Sequence, residues 1–361
     1  MTAPADATVT WGVLLLGALL VSMGGLTLAR SAATASAARR RTRAAAAVRT
    51  DLLDRLNRDE PAWDEWVATL DRTERTALEE RLLAFFRRLS GGDRERLRAL
   101  ARELDLDERA ERALRGGTRT ERLRGLTWLA YLDVEVDPEE LRARCGDHPT
   151  TRAAAARVLH EREHPAAAEV GTDLLLGAGE PLPVLGIDTL YQLHKLDPER
   201  LVDYAASRYG AWSESLLIQV LDVLAECDPV PSPVSLDWVA DCLDASSPRI
   251  REAALRALAD YGWRADVRRA ANVGVLTRDP APNVRIAAYR LLGEWEPEIA
   301  ASRLADGLAT DADARARLAA AEALYGAREV REDGRRGAER PAIPAGVEAW
   351  AWVVATEGGR S

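Results

Sequence analysis

The chain has 361 residues, of which 47% are hydrophobic and 30% charged, whereas aromatic residues make up only 5%. This composition is typical of stacked helices, and the length suffices to bury a large core. All but one of the 49 basic residues are Arg. The exception, Lys195, follows no glycine-rich loop, which excludes a Walker-type phosphate loop and a kinase lysine.

The charge is unevenly distributed along the chain. The net charge is −9, but residues 1–50 have a surplus of arginines, so the acidic excess lies in residues 51–361. An acidic body argues against a general nucleic-acid binder, because neutralising phosphates requires a surplus of cations. The three cysteines, Cys145, Cys227 and Cys242, form no Cys-x-x-Cys pair. They are predicted to be small buried residues in a reducing compartment.

An uncharged segment between Asp6 and Arg30 predicts a single transmembrane helix over residues 8–29. Ala35-Ser36-Ala37 would suit a cleaved signal, but the positive charges follow the apolar segment instead of preceding it. The sequence therefore predicts a single-pass plasma-membrane protein with its N-terminus outside and the rest in the cytoplasm. Basic residues that orient the helix, or lie against anionic lipid, are Arg39, Arg40, Arg41 and Arg43.

A repeat of about 33 residues becomes clear from residue 116 onward. Its reference positions, 31 to 34 residues apart, are Arg119, Arg152, Gly186, Leu217, Arg251, Arg285 and Arg317. Seven positions later every unit has a leucine: Leu126, Leu159, Leu193, Leu224, Leu258, Leu292 and Leu324. Four positions later stand Leu123, Ala156, Leu190, Leu221, Leu255, Tyr289 and Ala321. This spacing is one face of a helix, and each unit is predicted to turn it inward.

Prolines predict where the helices of each unit begin. Pro149, Pro183, Pro248 and Pro282 stand three residues before a reference position, as expected in the first turn of a second helix. Another series is predicted to start the first helices: Pro165, Pro198, Pro231 and Pro297. The predicted fold is all-α, an α-solenoid of about seven helical hairpins behind the single transmembrane helix.

The segments DPAPNVRIAAYRLL (279–292) and SPRIREAALRAL (247–258) resemble HEAT repeats, especially the short phycobilisome-lyase-type variant. The resemblance covers about residues 116–327. It implies a ladder of hydrogen bonds between aspartates and arginines of successive units. The matching residues, which it marks as structural, are Arg152, Asp244, Arg251, Asp279, Arg285, Asp311 and Arg317; Asp147 stands five residues before Arg152.

The chain is divided accordingly. Residues 1–30 are the tail and membrane helix, 31–60 an Arg/Ala-rich juxtamembrane helix, 61–115 a helical cap, and 116–327 the solenoid. Residues 328–361 lack a period and are predicted to be disordered. Alternatively, their Trp350 and Trp352 dock on the last repeat or on a partner.

The row five positions after each reference is polar in six of seven units and borders the buried stripe. Such a row lies toward the concave face that solenoids use for binding, although a merely solvated charged face is the alternative. The predicted partner-binding residues are Arg124, Arg157, Tyr191, Arg256 and Arg290. Asp222 and Glu322 complete the row. Its mixed charge favours a protein partner over a polyanion.

His160-Glu161-Arg162-Glu163-His164 matches the zincin motif His-Glu-x-x-His. Pro165 follows directly and would end the helix that a zinc hydrolase needs, so the motif is interpreted as a solvated helix end and no metal site is assigned.

These observations predict a non-catalytic scaffold that binds a membrane-associated protein, without a cofactor, nucleic acid or small-molecule substrate. One alternative is a lyase-like HEAT protein acting on a client protein. Another is a metal-dependent hydrolase using His160 and His164.

Overall fold

Ala, Leu, Arg and Glu, which dominate the chain, are good helix formers, and the computed structural model consists of helices joined by turns and loops in its described part. It describes Met23, residues 42–58, 60–132, 134–295 and 297–334, and Val353, and contains no strand within them. This confirms the prediction of an all-α protein. The chain forms two compact units, residues 1–109 with 131–134, and residues 110–130 with 135–361.

The first unit contains short amphipathic helices that bury leucines on one side. Leu52 and Leu56, Leu78 and Leu82, and Leu97 are fully or almost fully buried. A capping box between Asp71 and Glu74 starts the third helix. The helices are α1 (42–56), α2 (Trp63–Thr69), α3 (Arg72–Phe86), α4 (Gly92–Glu103) and the beginning of α5 (Leu106–Gly116).

Aromatic contacts close this unit. The Phe86 ring stacks on Tyr131 with centroids 5.6 Å apart, and Arg98 donates to the Tyr131 carbonyl at 3.2 Å. These contacts explain why residues 131–134 belong with the first unit. Trp63 and Trp66 of α2 are buried against each other, with centroids 5.8 Å apart. Both tryptophans lie within residues 61–115, the segment predicted to be a helical cap.

The second unit consists of alternating helices that stack in two rows. The row of second helices is α6 (Arg119–Leu129), α8 (Pro149–Glu161), α10 (Val184–His194), α12 (Glu214–Ala225), α14 (Pro248–Ala257), α17 (Pro282–Trp295) and α19 (Ala314–Gly334). The other helices are α7 (Pro138–Cys145), α9 (Ala167–Leu176), α11 (Glu199–Ala206), α13 (Asp237–Asp241), α15 (Ala265–Ala271), α16 (Val273–Leu276) and α18 (Pro297–Thr310). Three 3-10 turns are Tyr209–Ala211, Cys242–Asp244 and Ala259–Tyr261.

Each second helix contacts the next one along its row, from α6 through α19. In the other row, each helix likewise contacts the next one from α7 through α9, α11 and α13 to α15. Every helix therefore buries its apolar side against neighbours in the stack, which is the arrangement of an α-solenoid. The unit before α17 departs from a simple hairpin. Its first helix is split into α15 and α16 at Asn272, whose left-handed backbone (φ 36°) interrupts the helix.

The repeat columns form the buried stripe of the second-helix row. Seven positions after the reference, six of the seven leucines are buried, and Leu193 is the exception. Four positions after the reference, six of the seven residues are buried, and Leu123 is the exception. Pro149, Pro248 and Pro282 stand at the first residue of their helices, whereas Pro183 precedes α10. In the other series Pro297 starts α18 but Pro231 does not start a helix, because α13 begins only at Asp237.

The predicted membrane location is contradicted by the structure. Among the described residues, the helices are either too short or too rich in charged side chains to cross a bilayer. The prediction of a single-pass plasma-membrane protein is therefore wrong on this finding. Residues 8–29, which prompted it, lie outside the described residues apart from Met23, and so do Arg39, Arg40 and Arg41. Arg43 lies exposed at the start of α1.

Candidate interaction surface

The predicted binding row lies on successive second helices of the second unit. We call Arg124, Arg157, Tyr191, Asp222, Arg256, Arg290 and Glu322 the fifth-position row. Arg124, Arg256, Arg290 and Glu322 are exposed and the other three are half-buried. Because neighbouring second helices are in contact, these side chains form a row along the stack.

Two arginines of the fifth-position row are held by carboxylates of the same surface. Arg157 forms ion pairs with Asp188 on the next second helix and with Glu161, 3.6 Å away on its own helix. Arg256 pairs with Asp222 on the preceding second helix at 2.8 Å. These bridges connect neighbouring helices and neutralise much of the positive charge of both arginines.

Arg124 and Arg290 differ from these two. Both are exposed, and neither side chain has a hydrogen bond or ion pair to another residue of the described part.

Acidic groups lie close to the row as well. Burial, followed by the negative charge of Asp260, raises the pKa of Glu294 above its usual value. The surface thus combines exposed arginines with carboxylates.

A second set of charged residues lies between the helices. Arg251 Nε and Nη2 each donate to an oxygen of Asp279 at 2.8 Å, and Arg285 binds Asp311 in the same bidentate way at 2.8 and 2.7 Å. The Asp279 and Asp311 side chains are only 7% and 2% exposed. Arg285 holds the pKa of Asp311 below its usual value by these hydrogen bonds.

Each arginine of this ladder also binds its own unit. Nη1 of Arg251, Arg285 and Arg317 donates to the backbone oxygen six residues earlier, at 2.7 to 2.8 Å. The residue six positions before each arginine thus supplies a backbone oxygen, whereas the carboxylate that binds the arginine of an earlier unit comes from the next unit. Arg152 follows the same rule with Gly146 O and Glu180, so its carboxylate partner is not Asp147. Sequence reasoning missed Glu180 because the pattern specifies aspartate.

The ladder is interrupted where the reference arginine is missing. Leu217 stands at the position from which an arginine would reach Asp244. Asp244 is exposed and has no hydrogen bond or ion pair to any residue that the structure describes. Among the predicted ladder residues, only Asp244 lacks a hydrogen bond to a described residue. Substituting Asp244 therefore serves as a control for substitutions of the other ladder residues.

The histidine motif is divided by the end of a helix. α8 ends at Glu161, and Glu163 adopts a left-handed backbone with φ 50°, so His164 does not continue the helical turn that begins at His160. His164 Nδ1 instead accepts from the Ala166 amide at 3.1 Å. Burial lowers the pKa of the half-buried His160. No group of three His, Cys, Asp or Glu side chains within the described ranges is placed to hold a metal ion.

A groove of about 480 Å³ on the other row, lined by α7, α9 and α11, was not predicted. Tyr204 donates to Asp173 Oδ1 at 3.1 Å and Arg142 donates to Oδ2 at 3.2 Å, while the Arg208 guanidinium lies 4.1 Å from the Tyr204 ring centroid. Within the groove Arg142 and Asp173 therefore pair with each other.

The three cysteines are unbridged and buried. Burial raises the pKa of Cys145 and Cys242 to about 11 and that of Cys227 to about 12, so the thiolate that would act as a nucleophile or metal ligand is disfavoured.

We expect His194 to make the stability of the second unit depend on pH. The side chain is fully buried, its Nε2 lies 2.6 Å from Thr172 Oγ1, and burial lowers its pKa to about 4. An unfolded histidine titrates near pH 6.5, so between these values the unfolded chain binds a proton that the folded chain does not. We therefore expect the free energy of unfolding to fall by up to about 1.4 kcal/mol per pH unit between pH 6 and pH 5.

Urea unfolding at several pH values, compared between wild type and His194→Asn, measures this dependence. The variant is expected to be less stable at pH 7 but to lose less stability on acidification. His160→Asn is the comparison variant: burial lowers the pKa of His160 as well, but its side chain is only half-buried, so a smaller change of slope is expected. Equal slopes for wild type and His194→Asn would contradict the expectation.

The comparisons agree with this architecture over its C-terminal part. Neither the curated proteins nor the solved structures include a match to the chain. Residues 236–325 match the family model for HEAT repeats; they span α14, α17 and their ladder residues Arg251 and Arg285. Over these residues the chain is therefore similar to HEAT repeats.

Proposed function

We propose that the protein is a non-catalytic scaffold that binds a protein partner through the fifth-position row. The observation that carries the proposal is the row itself, in which exposed Arg124, Arg256 and Arg290 recur on stacked helices beside carboxylates. A surface with a regular repeat suits an extended partner, because the same contact can be made at several successive helices.

The ladder residues are not part of this proposed surface. Their side chains bind the next unit and backbone oxygens of their own unit. We infer for them a structural role, as the positions of their hydrogen bonds between successive helices support. We also infer that the repeats are of the short, phycobilisome-lyase-like type, since the reference positions are 31 to 34 residues apart. No lyase activity is inferred from that pattern.

Charge reversal at Arg124 and Arg290 is the most direct test of the row. Neither is bonded to another described side chain, so Arg124→Glu/Arg290→Glu should alter the surface without breaking an ion pair. We expect the partner captured by the wild-type chain in crosslinking to bind at least about tenfold more weakly, since like-charge juxtapositions at an interface cost several kcal/mol. Binding of the purified, identified partner is then titrated against both proteins.

The matched control is Arg200→Glu/Arg269→Glu, which reverses two exposed arginines on α11 and α15 of the other row. Binding that is lost equally in the α11/α15 control, or unchanged in Arg124→Glu/Arg290→Glu, would contradict the proposed surface.

A further inference from the structure

A groove of about 960 Å³ lies between α1 and α3 of the first unit. Its α1 side includes residues from Ala45 to Leu53, and its α3 side includes residues from Arg72 to Arg81. On each helix the lining residues recur three or four positions apart. Residues at this spacing share one face of a helix, so the groove follows both helices lengthwise.

The groove has the dimensions of a third helix. The lined stretch of α3 rises about 14 Å at 1.5 Å per residue, so the groove averages roughly 70 Å² in cross-section. An α-helix with its side chains is about 10 Å across, and about two and a half turns of it fit along this length. Leu53, which is 40% exposed, and the exposed Ala46 contribute apolar surface to the groove. An amphipathic helix can therefore bury its apolar side there.

The same groove has a surplus of positive charge. Arg49, Arg72 and Arg81 line it and are exposed. None of the three side chains has a hydrogen bond or ion pair to another residue that the structure describes. Glu80 is the one acidic residue among the described lining residues. The three guanidinium groups are thus available to carboxylates of another molecule.

Arg72 is placed where its charge does not stabilise its own helix. It is the first residue of α3, and a positive charge in the first turn opposes the helix dipole. Arg96 of the same unit behaves differently, because it donates to the Leu56 oxygen at 2.6 Å and so connects α4 to α1. The arginines of the groove make no such bond, and their charge contributes to the surface of the unit.

We propose that the groove between α1 and α3 binds an acidic amphipathic α-helix of a partner protein. The apolar side of that helix lies on Leu53 and Ala46, and its carboxylates accept from Arg49, Arg72 and Arg81. Charge complementarity selects this occupant, because arginines bind carboxylates through two parallel hydrogen bonds and repel a basic helix. The groove belongs to the first unit and the fifth-position row to the second, so this site is independent of the function proposed above.

Titration of a helical peptide tests the groove. The probe is a fluorescein-labelled peptide made of three copies of Leu-Glu-Ala-Leu-Glu-Glu-Ala, which has leucines on one side and glutamates beside them. The full-length chain is titrated into it at low salt, and binding is followed by fluorescence anisotropy. We expect this Glu peptide to bind at least about tenfold more tightly than the same peptide with Gln in place of Glu, and the difference to shrink as salt is added.

Charge reversal in the groove is compared with charge reversal beside it. Arg49→Glu/Arg81→Glu should weaken binding of the Glu peptide at least about tenfold, since it places like charges opposite one another. Arg87→Glu/Arg88→Glu is the matched control, because it reverses two exposed arginines that directly follow α3 and do not line the groove. The control should bind the peptide within about twofold of wild type, as expected for distant, screened surface charges.

Filling the groove tests its shape separately from its charge. Ala46 is exposed and lines the groove, so the indole of Ala46→Trp occupies the groove without entering the core. This variant is expected to bind the Glu peptide as weakly as Arg49→Glu/Arg81→Glu does, although its net charge is unchanged. Ala47→Trp, at the next position of α1, is exposed but outside the groove and should bind as wild type does.

The proposal would be overturned if the Glu peptide does not bind below about 1 mM, or if a peptide with Lys in place of Glu binds equally well. An equal loss in Arg87→Glu/Arg88→Glu would also overturn it. Two results would assign the groove to another occupant: phosphatidylserine vesicles that bind in its place through Arg49 and Arg81, or self-association of the chain that Ala46→Trp abolishes. Arg124→Glu/Arg290→Glu should leave the affinity for the peptide unchanged, which separates this test from that of the fifth-position row.

Discussion

Replacing Asp311 by Ala is expected to lower the free energy of unfolding by about 3–5 kcal/mol, the range for breaking a buried ion pair by removing one partner. The Asp311 carboxylate is 2% exposed and accepts from Arg285 twice, from the Tyr289 hydroxyl at 3.0 Å and from the Asp313 amide at 2.9 Å. The variant leaves the Arg285 guanidinium buried without its carboxylate. Urea unfolding at pH 7, followed by circular dichroism, measures the change.

Asp244→Ala is the matched control, since Asp244 belongs to the same predicted set but is exposed and unbonded within the described residues. Its substitution should alter the free energy of unfolding by no more than about 0.5 kcal/mol. Similar losses in the two variants would show that the ladder bonds contribute little.

The same carboxylate predicts a sign for the pH dependence. Arg285, through its hydrogen bonds, lowers the pKa of Asp311 in the folded chain, whereas an unfolded aspartate titrates near pH 3.9. The stabilisation is therefore complete well above that value and is lost as the pH falls through the folded pKa. The difference in stability between wild type and Asp311→Asn should accordingly shrink below about pH 4.

The sequence was sufficient for features that depend on local rules. A leucine seven positions after each reference lies on one helix face, and six of those seven leucines are buried. Pro248 and Pro282 begin helices because proline has no amide hydrogen to lose in the first turn. Pro231 shows the limit of that rule, since a proline favours a turn as readily as a helix start and α13 begins only at Asp237.

Partners across units could not be read from spacing. Arg152 pairs with Glu180 of the next unit, and Arg157 pairs with Asp188 on the next second helix. The offset between neighbouring helices selects these two partners, and the spacing within one repeat does not specify that offset. The same reason explains why the fifth-position row mixes bridged and available arginines. Position in the repeat gives the helix face, but only the stacking decides whether Arg290 is available while Arg256 is paired with Asp222.

Leu221→Ala is expected to destabilise the repeat unit by about 2–5 kcal/mol, the usual cost of a buried Leu→Ala change that leaves a cavity. Leu221 is fully buried on α12, which contacts both α10 and α14. A stack of repeats is stabilised only by contacts between neighbours, and α12 stands between two groups of units. Removing the Leu221 side chain should therefore weaken the coupling between these groups and lower cooperativity as well as stability.

Leu123→Ala is the control for the second prediction, because Leu123 occupies the same repeat position on α6 but is half-buried. It should cost roughly 1 kcal/mol, in proportion to the smaller apolar area removed from water. In urea, Leu221→Ala should unfold at a lower midpoint and with a shallower slope than Leu123→Ala, since units on either side of α12 then unfold more independently. An unchanged slope together with a lowered midpoint would show instead that the stack unfolds as one cooperative body despite the cavity.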